Sequence, residues 1–170
     1  MAQQKVFVVM GSSSDADYAR EAVEFLKRFE IAYEVRALSA HRSPDELFEA
    51  ARALEGQGFS VVIALAGCAA HLAGVVAGLT TLPVIGVPLP TSDLNGIDAL
   101  LSTAQMPGGV PVATMSVGKA GALNAGIFAV EILALNDPRL GKRLREYKDE
   151  LKQKVLDSDR HVQGTLGLPQ

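Results

Sequence analysis

The sequence predicts an α/β fold, a three-layer sandwich built on a five-stranded parallel sheet, and three observations carry that prediction. Short apolar runs alternate with segments of helical length along the whole chain, the pattern of strands joined by crossover helices. The stretch from Val61 to Leu79 contains His71 as its only acidic or basic residue, which reads as a buried parallel strand followed by a buried helix. The chain has 170 residues, 48% of them hydrophobic, which suits one compact domain. A domain of that size buries roughly 70% of the surface its unfolded chain exposes.

Each element follows from local signals. Strand one is expected at about Val6–Met10, with a helix starting near Ser14 and Asp17 completing a capping box. Strand two is expected at about Tyr33–Leu38. Ser43 then reads as a helix N-cap, with Pro44 at the first helical position and Asp45 and Glu46 favoured by the helix dipole. That helix runs towards Gly56-Gln57-Gly58. Strand three is Ser60–Ala66, and a small-residue helix follows near Ala70–Gly78. Strand four is Pro83–Val87, followed by a loop and a short helix through Leu101. Gln105–Pro111 is too rich in Pro and Gly to be regular. Strand five is about Val112–Met115, and a long apolar helix runs from near Gly118 to Leu135 before Asn136-Asp137-Pro138 breaks it. A charged amphipathic helix closes the pattern at about Arg139–Leu156. One domain is expected over residues 1–157, with residues 158–170 as a loosely ordered tail. Right-handed crossovers place the strands in flavodoxin-like order, 2-1-3-4-5.

Composition excludes several function classes. A net charge of −3 argues against nucleic acid or an anionic membrane as partner, since either calls for a basic surface. A single cysteine, Cys68, leaves no internal disulfide framework and fits a reducing compartment. Met1–Lys5 leads directly into strand one, so no signal peptide is expected and a cytoplasmic location is. Gly67, Gly74 and Gly78 interrupt the apolar stretch, which has neither an aromatic belt nor a basic flank, so it is not read as a membrane span. Between Val61 and Val130 only Asp93, Asp98 and Lys119 are charged. One domain cannot bury so much apolar surface alone, so a homo-oligomer is expected.

Three loops at the carboxyl ends of neighbouring strands carry the chemistry, because open parallel sheets bind ligands there. Gly11-Ser12-Ser13-Ser14-Asp15 sets three hydroxyls and free N–H groups at a helix start, which suits an anion or simply caps the helix. Asp15 fits a phosphate poorly and suits a ribose hydroxyl or the orientation of His41. Ser39-Ala40-His41-Arg42-Ser43-Pro44 supplies a proton carrier beside a fork of phosphate donors, with a solvated His-Arg turn as the plainer alternative. Ala66-Gly67-Cys68-Ala69-Ala70-His71-Leu72-Ala73-Gly74 lets a flat ligand approach the backbone. His71 reads more readily as a hydrogen-bonded core or interface residue than as a catalyst, and Cys68 as a small packing residue. The Pro-Gly segment around Met106 is either a lid or a static turn.

These segments, together with Pro83–Pro88, Gln105–Thr114 and Gly121–Gly126, resemble the class I N5-carboxyaminoimidazole ribonucleotide mutase family, also known as AIR carboxylase catalytic subunits. The resemblance runs up to Leu135. It implies an octamer without metal or redox cofactor, acting in purine biosynthesis on an aminoimidazole ribotide. The implied reaction moves a carboxylate from the exocyclic nitrogen to ring carbon 4. By position, Ser12, Ser14, Ser39 and Arg42 match phosphate contacts, Asp15 a ribose contact, and His41 the general acid–base. Gly67 and Ala70 match positions against the imidazole and its carboxylate. His71 and Leu72 match further site-lining positions, and Gly11, Ala40 and Ala66 complete the substrate surface. The family pattern has Gly at position 68 and Pro at position 73, where this chain has Cys68 and Ala73. A related class that uses free CO2 lacks the Ala69-Ala70-His71-Leu72 run, so the run favours the mutase.

Two other classes share the fold. A flavin carrier is disfavoured by the absence of Trp and the presence of only three Tyr. A phospho-receiver needs an aspartate at the end of strand three, where Ala66-Gly67 stands.

Overall fold

A computed structural model describes residues 4–167. The elements in chain order are β1 (Lys5–Met10), α1 (Ala16–Arg28), β2 (Ala32–Ala37), α2 (Pro44–Ala53), β3 (Phe59–Gly67), α3 (Leu72–Ala77), β4 (Val84–Leu89), α4 (Ile97–Ala104), β5 (Ala113–Thr114), α5 (Lys119–Ala134) and α6 (Pro138–Leu166). All strand pairs are parallel, in the order β2-β1-β3-β4-β5. The sheet is therefore the doubly wound one the alternating pattern predicts, with helices on both sides.

The central strands are apolar because both of their faces are covered. Val6, Val8 and Val9 of β1 and Val61, Val62 and Ile63 of β3 have no exposed surface. On one face Phe7, Val9, Val62 and Ala64 pack with Leu47, Ala51 and Leu54 from α2 and its end, and with Leu72, Ala73 and Val76 from α3. Phe7 and Phe59 meet edge to face at 5.3 Å in this layer. On α5, Gly126 lies against the backbone of Ala22 on α1, where an added Cβ would stand 3.0 Å from the Ala22 carbonyl oxygen. A clamp closes the end of the sheet opposite the carboxyl ends of its strands. Glu55 Oε1 accepts the Thr80 hydroxyl at 2.9 Å, the Thr81 N–H at 2.9 Å and the Thr81 hydroxyl at 3.1 Å. Those three donors hold the Glu55 carboxyl below its usual range.

Several boundaries differ from the sequence expectation. Ser12, not Ser14, is the first N-cap: it opens a single 3-10 turn, Ser13–Asp15, and α1 starts only at Ala16. The capping box pairs Ser12 with Asp15, so Asp17 takes no part in it. Ser43 holds the expected N-cap position of α2 with Pro44 after it, but its side chain makes no capping bond because its hydroxyl is turned back onto Ser39. β5 is only two residues long, since the preceding Pro107–Pro111 segment supplies no regular ladder.

The chain divides into two compact units, Met1–Leu133 and Ala134–Gln170. The second consists mainly of α6, whose N-cap Asp137 accepts from the Arg139 N–H at 2.9 Å. The helix continues well beyond Leu156, so residues 158–166, expected as loose tail, are helical. Side-chain bonds four residues apart, Gln153 to Asp157 at 3.0 Å and Gln163 to Asp159 at 2.8 Å, support its later turns. Of the rest of the expected tail, Gly167 ends the helix and residues 168–170 lie outside the described residues.

Gly86 shows how tightly the layers fit. A Cβ there would overlap Thr103 Cγ2 of α4 and stand 2.8 Å from Val112 Cγ1. Gly86→Ala should therefore destabilise the protein by about 1–3 kcal/mol, the usual cost of overpacking. Urea unfolding at constant m-value measures it, and an unchanged midpoint would show that α4 moves aside freely.

Candidate active site

Parallel pairing brings the ends of β1, β2, β3 and β4 to one edge, and the loops beyond them enclose a cavity of about 430 Å³. Small-molecule sites commonly have this size. The first loop contributes Gly11, Ser12, Ser14 and Asp15, the second Ser39 to Arg42, and the third Ala66 to Ala69 with His71 and Leu72.

The first two loops use their own hydroxyls to fix their backbones. Ser12 Oγ accepts from the Ser14 N–H at 3.3 Å, while Asp15 Oδ2 accepts from the Ser12 N–H at 3.1 Å. Ser39 Oγ accepts from the N–H groups of His41 and Arg42 at 3.3 and 3.2 Å. The Ser39 N–H in turn donates to Ser43 Oγ at 2.9 Å. Ser39 thus accepts from the turn and retains its own O–H for a ligand. Between the loops, Arg42 Nη2 donates to the Gly11 carbonyl at 2.9 Å. This bond keeps the guanidinium at the serine-rich end of the cavity.

His41 and His71 meet across the second and third loops. Nε2 of His41 lies 2.9 Å from Nδ1 of His71, with ring centroids 5.0 Å apart and planes at 83°. One ring must donate and the other accept, so the two tautomers are linked. His71 therefore belongs to the cavity and not to the core, and it holds the His41 ring in place.

The structure brings together every residue named for the site from the sequence except Ala70. Ala70 is buried, does not line the cavity, and its N–H donates to Ser102 Oγ on α4 at 3.1 Å. Asp15 does not touch His41 within the chain; its carboxylate bonds stay with Ser12 and Ser14. Cys68 is exposed and lines the cavity, contrary to its reading as a packing residue. Thr91 is a lining residue that no sequence signal marked, because it lies outside any motif, beyond the end of β4.

The model of the family described as AIR carboxylase matches residues 5–154. The chain belongs to the AIR carboxylase family. A protein of Thermotoga maritima called N5-carboxyaminoimidazole ribonucleotide mutase is 48% identical over 159 residues, spanning 94% of this chain and 92% of that one. A Bacillus subtilis protein of the same name is 51% identical over 156 residues, spanning 92% and 96%. Among solved structures, the crystal structure of Treponema denticola PurE superposes with a TM-score of 0.83 at 27% identity, covering 97% of this chain and 99% of that one.

Within this cavity, position 68 is locally unusual. Cys68 has a φ of 53°, in the left-handed region where glycine is unstrained and another residue costs on the order of 1 kcal/mol. A glycine at this position would avoid that cost.

Asp15 is the other strained point. Burial pushes its carboxyl above the ordinary value of 3.8, against the opposing bonds from Ser12 and Ser14 and the charge of Arg42. A carboxyl raised on folding binds its proton more tightly in the native state. Its contribution therefore lowers stability as pH rises from the unfolded value through the folded one. Asp15→Asn should melt at a higher temperature than wild type at pH 7, with the gap closing below the unfolded value. A variant less stable at pH 7 would show that the bonds to Ser12 and Ser14 outweigh the desolvated charge.

Proposed function

We propose that this protein is an N5-carboxyaminoimidazole ribonucleotide mutase of purine biosynthesis. It moves the carboxylate of its substrate from the exocyclic nitrogen to ring carbon 4, with His41 as proton carrier. The observation that carries this reading is the division of the cavity into two ends bridged by a histidine. Arg42 and the hydroxyls of Ser12, Ser14 and Ser39 suit a phosphate, Asp15 suits a ribose hydroxyl, and Ala66, Gly67 and Leu72 form a small apolar wall for the heterocycle. Relatives about half identical over almost the full chain carry the same name.

The reaction balances on one proton. Protonated His41 gives its proton to the exocyclic nitrogen as the nitrogen–carboxyl bond breaks and CO2 departs. Ring carbon 4 then forms a bond to CO2, and neutral His41 takes the proton that carbon 4 loses. The enzyme ends in its starting protonation state, and imidazole can perform both transfers near neutral pH. The apolar wall keeps CO2 beside the ring and water away, so the second bond forms between held partners. His71, bonded to His41, sets which nitrogen of the carrier holds the proton. The scheme needs neither metal nor redox cofactor.

The chain is also proposed to act as a homo-oligomer, an octamer by family resemblance, with sites near subunit boundaries. On α4 and the preceding loop Leu94, Ile97 and Leu101 are 60%, 63% and 53% exposed. Their spacing makes one apolar stripe on the chain's charge-poor half.

An NMR assay with carbon-13 in the carbamate tests the activity: the label should reach carbon 4 without dilution by unlabelled bicarbonate. Label that equilibrates fully with bicarbonate would reassign the protein to a carboxylase using free CO2. His41→Asn should bind the ribotide yet lose about 10²–10⁴-fold in kcat, the range of positioned acid–base catalysis. Turnover within a few fold of wild type would remove His41 from the proton transfer. Arg42→Ala should weaken ribotide binding by about 10- to 100-fold with a smaller change in kcat, because the phosphate contact persists from ground to transition state. An unaltered affinity would place the phosphate elsewhere. Light scattering at micromolar concentration should give a mass several times 17.9 kDa. A stable, active monomer would overturn the assembly.

A further inference from the structure

The loop after β4 adds a wall to the cavity through Thr91. Thr91 Oγ1 occupies the space that a Cβ on Gly67 would need, and Thr91 Cβ lies 3.0 Å from that same point. Only glycine fits beneath it. The threonine oxygen is thereby pressed onto the backbone of the last residue of β3, which itself lines the cavity.

α4 braces this arrangement from behind. The Ser92 hydroxyl donates to Asp98 Oδ1 at 2.8 Å, and Ser92 Oγ accepts from the Leu94 N–H at 3.2 Å. The Ser102 hydroxyl donates to the Asp98 carbonyl at 2.6 Å and accepts from the Ala70 N–H at 3.1 Å. One short helix therefore positions both the Thr91 loop and the turn that leads into His71. A residue that merely fills space would not need its neighbours fixed from two sides.

The chemistry of the wall is one-sided. Ala66, Gly67, Cys68, Ala69 and Leu72 present no hydroxyl, and the serines and Arg42 stand at the phosphate end. Among the described residues Thr91 Oγ1 has no hydrogen-bond partner within the chain. Its oxygen can donate one bond and accept another. A carboxylate next to an amine, the pair that the heterocycle carries at ring carbons 4 and 5 after transfer, offers the complementary acceptor and donor.

The geometry points to Thr91 as a substrate-contacting residue whose hydroxyl holds the carboxylate and amine of the aminoimidazole. This rests on the proposed mutase activity. The hydroxyl adds a directional bond to a wall otherwise selective only by shape, and it orients the carboxylate in the plane where it formed.

The test compares Thr91→Ser with Thr91→Ala, which differ only by the hydroxyl; valine is unsuitable because its methyl would crowd Gly67. Calorimetry would measure binding of 4-carboxy-5-aminoimidazole ribonucleotide and of ribose 5-phosphate, and the carbon-13 assay would follow turnover. The alanine variant should lose about tenfold or more in affinity for the carboxylated ribotide, as expected for a bond to a charged group. The serine variant should stay within about threefold of wild type on the same scale. Ribose 5-phosphate should bind all three proteins alike. Equal losses in both variants would show a packing role for the methyl group, and equal binding in all three would show that the hydroxyl touches nothing; either overturns the proposal. So does a parallel loss for ribose 5-phosphate. A wild type that neither binds the carboxylated ribotide nor transfers label would instead overturn the mutase reading, and Thr91's role with it.

Discussion

Parallel pairing on both sides of β1 is the constraint from which the site follows. Met10 stands opposite Ala37 of β2 and Leu65 of β3, and the ladder continues past the strand ends where the Leu38 N–H donates to the Met10 carbonyl at 2.9 Å. Because the strands run the same way, their carboxyl ends share one edge and the loops beyond them converge. A one-residue slip in either register would exchange the side chains packed in the two helix layers, so packing on both faces fixes where the loops begin. His41 and Ser12 come from different loops far apart in sequence, yet this register and the bond from Arg42 to Gly11 place them around one cavity.

The loops are prepared before any ligand arrives. Ser12, Ser39 and Ser43 commit part of their hydrogen-bonding capacity to their own backbones, which removes the entropy cost of ordering those loops on binding. Ser12 and Ser39 retain their hydroxyl donors for an anion, while Ser43 gives its own to the Ser39 carbonyl. Close approach is provided by missing side chains: Gly67 lies under Thr91, and Gly74 lies under Met106, whose sulfur stands 2.7 Å from a Cβ built there. The Met106 segment is thus packed onto α3 through a glycine, which fits a held turn better than a free hinge. Function also leaves local strain, in the desolvated Asp15 carboxyl and the left-handed Cys68.

Much of this was legible because it depends on local chemistry. The alternation of apolar runs with helical segments and the charge-poor centre give the parallel sheet and its order. Glycine, serine and histidine directly after strand-like runs mark the loops at the ligand-binding edge. Helix starts were harder to read. Ser14 has the composition of an N-cap yet is not one, and Ser43 holds the N-cap position without a capping bond, because a nearby hydroxyl or turn competes for the local N–H groups. The winner in each case is Ser12 or the Ser39–Ser43 turn. The end of α6 extends past the expected stop because polar side chains that bond one another at four-residue spacing carry no hydrophobic pattern.

The sequence by itself determined the fold class, the strand order and the three loops, since periodicity and turn chemistry act over a few residues. Only the tertiary structure decided which side chains meet. It paired His41 with His71, withdrew Ala70 behind Ser102, opened Cys68 to the cavity and set Thr91 over Gly67. Those outcomes depend on how far a helix or strand end is rotated and displaced in space, and no local pattern records the packing that sets it.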